Sequence, residues 1–332
     1  VATDGDAAPA RATDPTDGAD RAPARHARRT DPQDGGAAMT GTPVLIEVAS
    51  NGLTRAAHNP AVPVGPAALA ADARACLDSG ASIVHTHAAD PTAGAGALAA
   101  EYAACYEAVL AHDPATICYP TTAVGPTVAD RYAHVGMLAS QRLIRAAFVD
   151  PGSVNLGGTG PDGLPPPVDF VYTNTFADIR YAFDLAARHR LGPSVAVFEP
   201  GFLQVTLAYL EAGALPPGTL VKLYLAAGGY LTPGRALWGA PPIPEALTLY
   251  LAMLAGSGLP WALAVVGGSL FDHPELIEAA LAAGGHLRVG LEDWPDGPAN
   301  AEQVRRAAEW AARAGRPVAS PAEAARILGL PD

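Results

Sequence analysis

Residues 284–293 read GGHLRVGLED, and the alternation within them decides the fold. Read with a period of two, Leu287, Val289 and Leu291 face one way, while His286, Arg288, Gly290 and Glu292 face the other. The apolar set fits a layer of helices, so the polar set must fill an enclosed interior. An Arg and a Glu held there are costly unless they pair or bind something. An internal Arg288–Glu292 ion pair is the structural answer, and a hard oxygen ligand at the strand terminus is the functional one.

Seven further apolar runs lie upstream, at 44–49 (VLIEVA), 82–87 (SIVHTH), 116–120 (TICYP), 144–149 (IRAAFV), 194–198 (SVAVF), 219–225 (TLVKLYL) and 261–266 (WALAVV); the eighth is 287–292. Helical stretches rich in Ala alternate with them, at 66–79, 98–112, 126–140, 175–190, 201–213, 242–256, 273–283 and 300–315. Such alternation predicts a parallel sheet with crossover helices, and eight of each predict an α/β protein of the (β/α)8 TIM-barrel class. A doubly wound open sheet is the rival. Pro66 suits a first helical turn. Asn300 is expected to cap the last helix, with Gln303 at the capping-box position, and Gly80, Gly192 and Gly315 to end helices. Two inserts, 150–174 and 226–241, follow strands and would cover the active face of a barrel.

Residues 1–40 carry almost no large apolar side chains and are expected to form a disordered extension; residues 41–332 are expected to form the barrel. Arg28 and Arg29 precede TDPQDGG rather than an apolar run, unlike a secretory signal. The formal charge of −12 argues against a nucleic-acid partner, and no apolar run is long enough to span a membrane. Cys76, Cys105 and Cys118 show no paired spacing and read as reduced, buried thiols of a cytoplasmic protein.

His85-Thr86-His87 ends the second strand, where residues two apart share a face and can share one ion. One histidine alone would read as a polar strand end satisfied by water; the pair points to a metal. The eighth strand lies beside the first and the second on its other side, so Glu292 can meet both. Two histidines and one carboxylate leave a fourth position open, as in catalytic Zn2+ sites, although Fe(II) or Mn suits the same set. On an extended segment Glu292 and Asp293 would point apart, one to the ion and one over a substrate.

These segments resemble the β-keto acid cleavage enzymes, typified by 3-keto-5-aminohexanoate cleavage enzyme. The resemblance covers about residues 43–330. It is carried by GGHLRVGLED, IVHTHAADP (83–91), NPAVPVGP (59–66), GSVNLG (152–157), NTFADI (174–179) and GRPVASPAEAARILGL (315–330). It implies a zinc-binding barrel, with His85, His87 and Glu292 as ligands, Asp293 as base and Arg288 as its assistant. It also implies transferase (acyltransferase) activity in amino acid catabolism: a β-keto acid carbanion attacks acetyl-CoA, CoA passes to the original ketone carbon, and retro-Claisen cleavage releases acetoacetate and a new acyl-CoA. Expected substrate contacts are Thr121, Glu47, Glu199, Gly228 and Gly229. Glu47 has a second reading, preferred here, as an inner partner of Arg288. The expected assembly is a homo-oligomer. Departures from the family pattern fall at Thr54, Ala89, Asp150 and Ala196, at VVGGS (265–269) and in the short loop after Glu292. Alternatives are a metal-dependent hydrolase and a non-catalytic keto-acid or acyl-CoA binder. His134, His189 and His273 fall in or at the start of helices, which weighs against further ligands on central strands.

Overall fold

The computed structural model describes residues 41–230 and 232–331; the expectation for residues 1–40 lies outside them. Eight strands alternate with helices: β1 Ile46–Ala49, α1 Pro66–Asp78, β2 Ile83–Thr86, α2 Ala95–His112, β3 Ile117–Pro120, α3 Val128–Ser140, β4 Ala146–Val149, α4 Phe176–His189, β5 Gly192–Val197, α5 Pro200–Glu211, β6 Leu220–Ala226, α6 Pro244–Leu254, β7 Trp261–Val266, α7 Pro274–Ala282, β8 His286–Val289 and α8 Asn300–Arg313. Every strand is parallel to its neighbours, in the order β3-β2-β1-β8-β7-β6-β5-β4. The Arg145 amide donates to the Cys118 carbonyl at 3.3 Å and draws β4 to β3, so the sheet closes nearly into a ring. The fold is the expected (β/α)8 barrel. All strand residues are buried, as a sheet covered by helices outside and filled by side chains inside requires.

Four local expectations change. A further helix, α9 Pro321–Leu328, follows the barrel, started by a capping box of Ser320 and Glu323. Helix α4 ends on Arg190 in the left-handed region (φ 57°), and Gly192 already belongs to β5. Ala299, not Asn300, caps α8, because Asn300 and Gln303 are committed elsewhere, as shown below. Strand β8 stops at Val289, three residues earlier than expected.

The two inserts meet over the C-terminal pole. Gly158 and Ala236 form an antiparallel bridge, and the Gly158 amide donates to Thr232 Oγ1 at 2.7 Å. The three cysteines are buried and free, two on helices and one on a strand. No helix among the described residues is long and apolar enough to cross a membrane.

Candidate active site

The end of β2 and the turn after β8 converge at the C-terminal pole. His85 Nε2 and His87 Nε2 lie 3.2 Å apart. Glu292 Oε2 lies 3.4 Å from His85 Nε2, and Glu292 Oε1 lies 3.4 Å from His87 Nε2. All three residues are buried, and one donor atom from each lies within 4.8 Å of the others. His85 Nδ1 faces the Tyr119 carbonyl at 3.2 Å, so that nitrogen carries the proton and Nε2 turns its lone pair to the centre. Burial holds His85 well below its ordinary value, against the pull of Glu292, which keeps it in the neutral form that ligates metals. Glu292 Oε2 is buried without a hydrogen-bond partner. These features fit a bound metal ion.

The supporting geometry explains why Glu292 reaches the histidines. Residues 290–293 are a turn, not a strand end. Gly290 has φ 144°, and a Cβ there would sit 2.1 Å from the Ala49 carbonyl oxygen. Helix α8 holds the turn: Gln303 Oε1 accepts from the Gly290 amide at 3.1 Å and Asn300 Oδ1 from the Leu291 amide at 2.8 Å. That commitment takes Asn300 away from capping. Opposite, Asn51 accepts from the His87 amide at 2.8 Å and donates to its carbonyl at 2.9 Å. Next to it Gly52 has φ 53°, and a Cβ would strike Glu292 Cγ at 2.4 Å. Asn51, Gly52 and Tyr230, whose hydroxyl donates to Glu292 Oε1 at 3.0 Å, escaped the sequence reading.

Because the segment turns, Glu292 and Asp293 do not point apart; both reach Arg288. Arg288 Nε and Nη2 fork onto the Asp293 carboxylate at 2.9 and 3.0 Å, and Nη2 also lies 3.1 Å from Glu292 Oε2. Burial raises Asp293 to about 6 despite Arg288 beside it. Burial also pushes Glu292 upward, but His87, Arg288 and His85 together hold it well below the usual carboxylate range. The two adjacent carboxylates are thus driven apart, Asp293 upward and Glu292 downward.

The expected substrate contacts divide. Thr121 follows β3 on the same pole, its amide donating to the Thr86 carbonyl at 3.2 Å. Gly229 lines a pocket of about 260 Å³ with Thr54, Arg55, Tyr230 and Glu292. A Cβ on Gly228 would lie 2.7 Å from the Gly267 carbonyl, and one on Gly229 would lie 2.0 Å from that of Thr232, so both glycines serve close backbone packing. Glu199 accepts from the Gly239 amide at 2.9 Å and fastens the second insert. It lines a larger groove, about 1370 Å³, between α4 and α5 that contains none of His85, His87 and Glu292, whereas Glu292 lines the smaller pocket. Glu47 is buried and accepts from Arg288 Nη1 at 2.6 Å, the inner partnership preferred from the sequence.

The departures have visible consequences. Thr54 donates to the Leu291 carbonyl at 2.8 Å and braces the turn. Asp150 accepts from the Tyr172 hydroxyl, and burial raises its carboxyl. Ala196 pairs in register with Lys222, which turns instead to Tyr119 and Glu47.

Comparison with known proteins adds to this geometry. A sequence model of the beta-keto acid cleavage enzyme family matches residues 43–330. A 3-keto-5-aminohexanoate cleavage enzyme of Fusobacterium nucleatum subsp. nucleatum is 27% identical over 281 residues, covering 82% of this chain and 92% of that one. A 3-oxoadipate:acetyl-CoA acetyltransferase of Cupriavidus necator is 27% identical over 298 residues, covering 87% and 95%. Among solved structures, the binary complex of ObcA with oxaloacetate matches with a TM-score of 0.60 at 17% identity, covering 82% of this chain and 68% of that one; this likeness concerns the fold.

Proposed function

Because the chain belongs to the beta-keto acid cleavage enzyme family, we propose that it converts a β-keto acid and acetyl-CoA into acetoacetate and a new acyl-CoA, with zinc held by His85, His87 and Glu292. The observation that carries this reading is the meeting of two imidazoles and a carboxylate at one point, with the Arg288–Asp293 fork beside them. When bound, the zinc would polarise the keto acid's oxygens and stabilise the enolate. Asp293 takes the acidic C–H proton, and Arg288 holds that carboxylate in place. Tyr230, from the second insert, fixes Glu292 through its hydroxyl. Both proteins named above take part in chemistry of this kind by their names, and their similarity extends over most of their length.

The working form is proposed to be a cytoplasmic homo-oligomer. Three free, buried cysteines fit a reducing compartment. Exposed Leu164, Val168, Phe170, Val171 and Phe176 offer an apolar face to a second copy. Size-exclusion chromatography with light scattering checks the assembly. A panel of β-keto acids with acetyl-CoA, read out as acetoacetate, tests the reaction. Turnover that proceeds without the thioester would replace it with a hydrolytic reading, and elemental analysis of chelator-free protein tests the zinc.

A further inference from the structure

Beneath the metal ligands the barrel holds a second charged layer. Glu47 Oε1 accepts from Arg288 Nη1 at 2.6 Å and from the Tyr119 hydroxyl at 2.5 Å. Lys222 Nζ donates to the same hydroxyl at 2.8 Å and lies 3.6 Å from Glu47 Oε1. All four residues are at most 2% exposed. Tyr119 also touches the metal side: its ring stacks on His85 at 4.4 Å, and its carbonyl faces His85 Nδ1. One guanidinium thus faces three carboxylates, those of Glu47, Glu292 and Asp293. It can neutralise one of them, and Lys222 supplies the second cation, on the Glu47 side.

We propose that Lys222 and Tyr119 are positioning residues for the reaction: they satisfy Glu47, so that the Arg288 guanidinium stays forked on Asp293 beside the metal ligands. The proposal rests on the reading of Asp293 as the base. Glu47 competes with Asp293 for one cation, and the competition is decided by whether Glu47 has another. Burial pushes the Glu47 carboxyl upward, and Lys222 heads the groups that bring it down again, consistent with that division of charge. At the position paired with Lys222, β5 offers only the methyl of Ala196, so the lysine has no carboxylate there to divert it from Glu47.

Removal of the lysine's charge tests this. Lys222→Met keeps length and packing but leaves Glu47 with Arg288 as its cation. It should lower kcat by roughly 10²-fold, the scale of a misplaced general base, with metal content and KM for the keto acid nearly unchanged. Enzyme-catalysed exchange of the keto acid's acidic C–H with deuterated solvent, followed without acetyl-CoA, should fall in parallel. Adding Glu47→Gln removes the competitor, and the double variant should recover to within about tenfold of wild type, a non-additive rescue. Tyr119→Phe keeps the stack on His85, so it should retain metal and lose kcat, and it serves if Lys222→Met does not fold. Wild-type kcat in both Lys222→Met and Tyr119→Phe, or a double variant no better than Lys222→Met, overturns the proposal and leaves the layer as filling. A wild-type protein that neither turns over nor exchanges would overturn the Asp293 reading, and this proposal with it.

Discussion

Two buried arginines lie near opposite ends of strand β8, and they are neutralised in opposite ways. Below its N-terminal end Arg316 donates to backbone carbonyls: Thr42 at 2.9 Å, Leu281 at 2.9 Å and Gly285 at 2.7 Å. No carboxylate faces it among the described residues, and burial lowers its guanidinium from its ordinary value. At the other end Arg288 faces Asp293, Glu47 and Glu292; burial lowers it, but those carboxylates more than offset this, and it is raised. Carbonyl dipoles at the end of α7 satisfy a cation locally and need nothing more. Three carboxylates against Arg288 and Lys222 leave negative charge over, which an interior tolerates only with another cation or a proton. The arginine of the lower pole is thus satisfied as folded, and the carboxylates of the upper pole are left short of positive charge.

That contrast breaks most easily at the ligands. His85→Ala should abolish metal loading and turnover while the far-UV circular dichroism stays that of a barrel, because the lost side chain sits at the rim. Stoichiometric metal in that variant would take His85 out of the site. Asp293→Asn separates base from ligand: metal should remain, measured by elemental analysis, and turnover should fall by about 10²–10⁴-fold. Full activity in this variant would remove Asp293 as the base.

At the lower pole the expected loss moves from rate to stability. Arg316→Met removes the donor to the buried carbonyls of Leu281 and Gly285 and to the half-buried one of Thr42, so the protein should lose about 3 kcal/mol in denaturant unfolding. Its kcat should be unchanged where the variant is folded. A selective loss of kcat without loss of stability would join the two poles and dissolve the comparison.

The sequence exposed the upper pole better than the supports beneath it. A spacing of two on a strand made His85 and His87 legible, and a polar face against an apolar one did the same for Arg288. Glu292 meets the two histidines although its segment is a turn, because Gly290 swings the chain and returns the side chain to the same interior. Lys222 left a readable signal, a lone cation in TLVKLYL, but Tyr119 in TICYP is an ordinary core aromatic until tertiary contacts give its hydroxyl partners. Asn300 and Gln303 show the opposite error. Their spacing spells a local cap, but the amides of the β8 turn, distant from any local pattern, compete for the same oxygens and win. Helix α9 was missed although Ser320, Pro321 and Glu323 carry the same local signature, since the barrel count was complete without it.

The smallest effect concerns protons at the lower pole. His286 Nδ1 accepts from the Leu45 amide at 3.1 Å, a bond that requires the unprotonated nitrogen. Burial, then the nearby Arg316, lowers His286 to about 3. A folded-state value below the unfolded one, near 6.5, means that stability is fully present above that pH and is lost as pH falls toward 3. Between pH 7 and pH 5 this one group should remove about 2 kcal/mol, from protonation of the unfolded chain alone. Asp293, raised to about 6, works in the opposite direction over part of the same range, so total stability cannot isolate the histidine. His286→Asn can, because an amide oxygen replaces Nδ1 as acceptor for Leu45 and does not titrate. The difference between wild type and variant, from urea unfolding at the two pH values, should narrow by that amount toward acid pH. A difference independent of pH would mean that His286 binds its proton in the fold as it does in the unfolded chain, and one that widens toward acid pH would mean that it is charged in the fold and that the lower pole, like the upper, stores unbalanced charge.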